Sequence, residues 1–184
     1  MLIFDRGFPT GHQRNVRDAV EAIRKNPTGD KLPKDLRAGL DTVLDGIGTF
    51  PSPIVARSVT IAYDERDNGP FAYTGGSCIW LCKRAFDAGQ DRLNAILFHE
   101  LVHVMCGWEL DAEVLENLLF HGRGATRPDH GDIETFARGN WVGRWVRVVK
   151  EGNDAVVIKG PQGETIPNYL GKLPQDDLAG IPNG

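Results

Sequence analysis

The apolar positions of this chain fall first into two helical periods and then into two stretches of strand. Val16, Ala19, Val20 and Ile23 recur at the three-and-four spacing of an amphipathic helix, predicted over residues 13–25. A stop and a turn follow at residues 26–30. Leu36, Leu40, Val43, Leu44 and Ile47 repeat the pattern after Pro33, predicting a second helix that ends near residues 46–48. Pro51 and Pro53 then break the chain before a β-branched run, residues 54–63, with the character of a strand. The acidic stretch 64–70 lacks the ligand spacing of a calcium loop, so a solvated turn is expected there. Residues 71–82 form a second predicted strand, interrupted at Gly75-Gly76, where a bulge or a close backbone approach is expected.

The second half opens on the strongest helix, residues 91–106, which is apolar nearly all round and must therefore be buried. Another helix is predicted at 111–120, a loop at 122–131 and a short helix at 132–138. Residues 141–149 and 155–159 have the pattern of a β-hairpin joined by 151–154. Beyond Gly160 the chain is rich in proline and glycine and is expected to be a loosely ordered tail. No repeat or composition shift marks a boundary. The expectation is one α+β domain over 1–184, with a small mixed sheet, a central helix followed by a second one, and a C-terminal hairpin.

Composition narrows the class. With 184 residues, 41% of them hydrophobic, and a net charge of −4, the chain can bury a core and is not of disordered type. Its basic residues are scattered, which argues against nucleic acid as a partner. No apolar run approaches the roughly 18 residues that cross a bilayer, so no membrane partner is expected. Residues 1–7 lack the basic start and apolar stretch of a secretory signal. The expected location is cytoplasmic, or outside the cell by a route that needs no classical signal peptide. Three cysteines, Cys78, Cys82 and Cys106, are an odd number and read as free buried thiols. Trp108, Trp141 and Trp145 are expected in the core or in a cleft wall, and Trp80 in strand packing.

The chemistry concentrates in His99-Glu100-Leu101-Val102-His103. Positions i and i+4 share one helix face, so both imidazoles can reach a single ion. Glu100 stands about 100° round from His99, beside the ion and free to accept a proton from water. Two histidines and a glutamate inside a buried helix are costly unless something pairs them, and a metal does so.

This pentad is similar to the active-site helix of zincin zinc metallopeptidases. The stretch Thr74-Gly75-Gly76-Ser77-Cys78-Ile79-Trp80-Leu81 resembles the edge strand that aligns an extended peptide in that superfamily. Over about residues 54–138 the order of edge strand, active-site helix and second helix resembles compact effector and toxin-associated members. Neither metzincin hallmark is present, since no Gly-x-x-His follows His103 and no Met-turn is visible. The resemblance implies a zincin-like fold, Zn2+ as cofactor and a gluzincin-like carboxylate as third ligand. It further implies a protein or peptide substrate, an immunity or carrier partner, and Gly75 and Gly76 as substrate-binding backbone. Among Glu109, Asp111, Glu113, Glu116, His121, Asp132 and Glu134, a returning helix rising about 1.5 Å per residue favours Glu113. Glu116 and then Glu134 follow.

The activity expected is hydrolysis of a peptide bond, with Glu100 as general base and His121, His130 or Tyr169 assisting the oxyanion. An amidase acting on a small or cell-wall substrate, and a non-catalytic zinc-binding module, are the competing expectations.

Overall fold

A computed structural model describes residues 1–49, 58–121, 141–151, 155–160, 162–166 and 181. These residues fall into two units, Met1–Cys106 and Gly107–Gly184. The architecture is α+β, with a five-stranded mixed sheet, five α-helices and a C-terminal hairpin among the described residues. None of the described helices is long and apolar enough to cross a membrane.

The first unit begins with β1 (Leu2–Phe4) and α1 (Thr10–Arg24), then a 3-10 turn (Pro27–Lys31), α2 (Lys34–Leu44) and β2 (Ile47–Thr49). It continues through β3 (Val59–Asp64), β4 (Ala72–Gly75), β5 (Cys78–Cys82), α3 (Lys83–Asp87) and α4 (Gln90–Val104). The sheet runs β2-β1-β3-β5-β4. Its first four strands are parallel and β4 lies antiparallel at the edge. Side chains alternate across a strand, and the register puts Leu2, Phe4, Val59, Ile61, Ile79 and Leu81 on one face, all buried. Helix α1 packs on that face, where the Arg17 guanidinium lies 5.4 Å from the Phe4 ring centre. Full burial of such a side chain contributes about 1.5–3 kcal/mol. The seam between sheet and helices therefore holds β1 in place, since three residues have little strand preference of their own.

Three expectations change here. Leu2-Ile3-Phe4 gave no strand signal in so short a run, yet it is the second strand of the sheet. Ile47 was expected to close the second helix. Instead α2 stops at Leu44, and Ile47 opens β2, paired with Leu2, because Leu2 N–H bonds the Gly46 carbonyl at 2.9 Å. Residues 71–82 are two antiparallel strands rather than one interrupted strand. Gly75 pairs with Cys78 and the two residues between make a tight turn, with Gly76 at φ +61. A positive φ at the first turn position matches the right-handed twist of a hairpin and favours glycine there. Residues 54–57 of the first predicted strand lie outside the described residues.

The second unit holds α5 (Glu109–Glu116), a π-type turn (Asn117–His121) and an antiparallel sheet of β6 (Arg147–Glu151), β7 (Ala155–Lys159) and β8 (Thr165–Ile166). The hairpin is as expected, but its first strand starts at Arg147. Residues 143–146 instead wrap the fully buried carboxylate of Asp111. That carboxylate accepts four backbone N–H bonds, from Trp108 at 2.8 Å, Arg144 and Trp145 at 2.7 Å, and Val146 at 3.0 Å. A Cβ on Gly143 would stand 2.5 Å from the same group, so the loop closes only with glycine there. The supposed tail contributes β8, which pairs with β7. The loop and short helix expected at 122–138, with His130, Asp132 and Glu134, lie outside the described residues, as does Tyr169.

Trp141 and Trp145 are buried as expected, whereas Trp108, at the start of α5, is 56% exposed. The cysteines are free, but only Cys82 is buried; Cys78 is half-buried and Cys106 exposed. Burial pushes the Cys82 and Cys78 thiols up from their ordinary range. A disulfide reagent at mild alkaline pH is therefore expected to label Cys106 first and Cys82 only on unfolding. Mass mapping of the labelled peptides checks the order, and rapid labelling of Cys82 in the folded protein would contradict it.

Candidate metal centre

Helix α4 owes its position to both ends and its middle. It starts after Gly89, whose φ of +93 suits a residue without a Cβ. In its first turns Gln90 donates to the Asn15 carbonyl at 2.9 Å and to Asn94 Oδ1 at 2.8 Å, while Asn15 returns a bond to Gln90 Oε1 at 3.1 Å. These bonds stitch α4 to α1 and satisfy the buried Asn94 amide. Leu93, Leu97, Phe98, Leu101 and Val102 are all buried. At the far end Met105 lies against Gly39 of α2, and a Cβ on that glycine would meet the thioether at 2.8 Å. Cys106, at φ +64, then donates its N–H to the His103 carbonyl and ends the helix.

Between those ends the pentad lies as its spacing predicts. His99 and His103 are half-buried, with their Nε2 atoms 3.1 Å apart and rings crossed at 70°. Two nitrogens about 2.0–2.1 Å from one tetrahedral zinc ion stand roughly 3.3 Å apart. The pair therefore matches a shared metal ion in donor type and in spacing, and without one the same spacing is that of a hydrogen bond between the two rings. Glu100 is 6% exposed. Its Oε2 accepts a 2.6 Å hydrogen bond from the hydroxyl of Thr74 on β4, which leaves Oε1 for another donor.

Strand β4 is the sheet's edge, and its pairing settles which backbone groups point outward. Cys82 N–H bonds the Phe71 carbonyl, so Phe71, Tyr73 and Gly75 direct their N–H and C=O groups toward β5. Ala72 and Thr74 direct theirs away from the sheet. Gly75 is thus turned inward and Gly76 lies in the turn. Their lack of side chains has local causes: a Cβ on Gly75 would press on the Trp80 ring at 3.1 Å, and Gly76 carries the positive φ.

The opposite face of the hairpin is pinned by a stack. Tyr73 and Trp80 lie nearly parallel, 5.0 Å between ring centres, as the packing role expected of Trp80 requires. Tyr73 donates its hydroxyl to Asp64 at 2.9 Å, and Arg66 pairs with the same carboxylate at 2.5 Å. Hydrogen bonds from the Arg66 side chain, then from its backbone N–H, hold the Asp64 carboxyl well below the usual carboxylate range. Desolvation and the Asp64 contact raise the Tyr73 phenol.

Of the carboxylates weighed as third ligand, Asp111 is fully engaged by backbone donors and is removed from the set. Glu109, Glu113 and Glu116 stand on α5, exposed, half-buried and buried respectively. Glu113 and Glu116 bring carboxylate oxygens within 4.8 Å of each other. His121 ends the π-type turn that follows α5. Thr74 was not singled out from the sequence. It falls within the stretch likened to an edge strand, but nothing in the spacing marks its hydroxyl. The chain matches no family model, no curated protein and no solved structure.

Proposed function

We propose that this protein is a zinc-dependent hydrolase whose substrate is a peptide in extended form, with His99 and His103 as metal ligands and Glu100 as general base. The observation that carries this reading is the 3.1 Å separation of two imidazole nitrogens on the helix that also bears a buried carboxylate held from the edge strand. Zinc, when bound, supplies Lewis-acid polarisation and brings the pKa of water toward neutrality. Glu100 accepts a proton from the attacking water on Oε1 and passes it to the leaving amine. An extended chain adds to the sheet by pairing with the outward N–H and C=O groups of Ala72 and Thr74. These two residues, rather than Gly75 and Gly76, then carry the backbone recognition. Glu113 is the proposed third ligand, on the sequence argument above and because Asp111 is otherwise engaged.

Elemental analysis is expected to find one zinc per chain in protein purified without chelator. Changing His99 or His103 to Ala should weaken binding by more than roughly 100-fold, beyond the usual effect of losing an outer-shell partner. Chelation should stop cleavage of an unstructured casein and added zinc should restore it. Metal-free protein that cleaves casein, or His103→Ala protein that retains its zinc, would overturn the reading.

A further inference from the structure

We infer that Thr74 is a positioning residue for Glu100, so that one residue of the edge strand both presents backbone to an incoming peptide and sets the aim of the base. This inference rests on the hydrolase reading above. Glutamate has three side-chain torsions, and a base with that freedom spends little time in one productive pose. The Thr74 hydroxyl, 2.6 Å from Oε2, removes much of that freedom. Thr74 is itself stiff, because its Cβ is branched. Its strand is fixed from the far face by the Tyr73–Trp80 stack and the Asp64–Arg66 pair. With Oε2 held, Oε1 is the oxygen left to take a proton. The N–H and C=O of the same residue point away from β5 on the outermost of the described strands, so a peptide pairing there bonds to the backbone that carries the hydroxyl. Binding a strand and aiming the base thus act through one residue.

The test compares Thr74→Val, which keeps shape and removes the donor, with Thr74→Ser, which keeps the donor. Glu100→Gln serves as reference. On labelled casein with one equivalent of zinc, Thr74→Val is expected to lower kcat about 10–100-fold, with KM within about twofold and zinc content unchanged. Thr74→Ser should restore most of kcat. A second readout needs neither metal nor substrate. In metal-free protein Thr74→Val should lower Tm by about 3–6 °C, but by less than about 1 °C when Glu100 is already Leu.

Glu100→Gln protein as active as the parent sinks the hydrolase reading, and this inference with it. Inactive Glu100→Gln beside fully active Thr74→Val sinks the inference alone. A loss that Thr74→Ser does not restore, or equal Tm shifts in both backgrounds, would also overturn it by assigning Thr74 to packing.

Discussion

Glu100→Gln is expected to stop hydrolysis while the zinc and the fold stay in place. A positioned general base contributes typically 10²–10⁴-fold. The amide cannot take a proton from water, so turnover should fall by at least about 100-fold. Neither imidazole is touched, so zinc content should match the parent. Stability provides the second half of the prediction. Glu100 is 6% exposed, and burying a carboxylate is unfavourable unless it is well paired. A hydrogen bond to a charged group returns only about 1.5–3 kcal/mol. Glutamine keeps an acceptor for the Thr74 hydroxyl and removes the charge, so Tm should hold or rise. A residue kept for packing would behave the other way, losing stability with no effect on turnover. Paired measurements of casein cleavage and thermal melting decide between them. Turnover above a tenth of the parent's would rule out Glu100 as the base.

How much of this could be seen in the sequence depended on whether the cause was local. The apolar faces of α1 and α2 were legible because each helix buries a stripe of its own residues at helical spacing, and α4 because its apolar residues run nearly all round. The histidine pair was legible for the same reason, since i and i+4 meet on a helix whatever else the chain does. Leu2–Phe4 was not, because a three-residue strand is made by its neighbours on either side. Gly75-Gly76 signalled a break but not its kind; a turn and a bulge differ in which partner follows, and that partner is the strand itself. Thr74 carries no mark in the sequence, because a threonine in a strand is ordinary and the partner of its hydroxyl, Glu100, lies 26 residues away. Residues 141–146 carry a strand pattern, but the cause of their fold is not local. Their alternation of Trp, Val and Gly suits a strand, yet Arg144, Trp145 and Val146 give their N–H groups to Asp111, about 34 residues earlier.

That last feature is where the largest stability effect is expected. Asp111→Ala removes the acceptor for four buried or half-buried backbone N–H groups at once. Each unmade bond in such a place costs about 1–3 kcal/mol, partly recovered where water enters. A net loss on the order of 4 kcal/mol is expected, lowering Tm by roughly 8–16 °C in a chain of this size. Asp111→Asn keeps one oxygen but turns an NH2 toward backbone donors, so it should fall between Ala and the parent. Gly143→Ala should act in the same direction, because its Cβ would stand 2.5 Å from a carboxylate already fixed by its donors. By contrast the exposed Arg37–Asp41 pair should cost less than about 1 kcal/mol when broken. Amide hydrogen exchange gives the local readout: Trp108, Arg144, Trp145 and Val146 should lose protection in Asp111→Ala before β6 and β7 do. Asp111→Ala protein that melts within about 1 °C of the parent, with those four amides still protected, would show that the carboxylate does not organise the second unit.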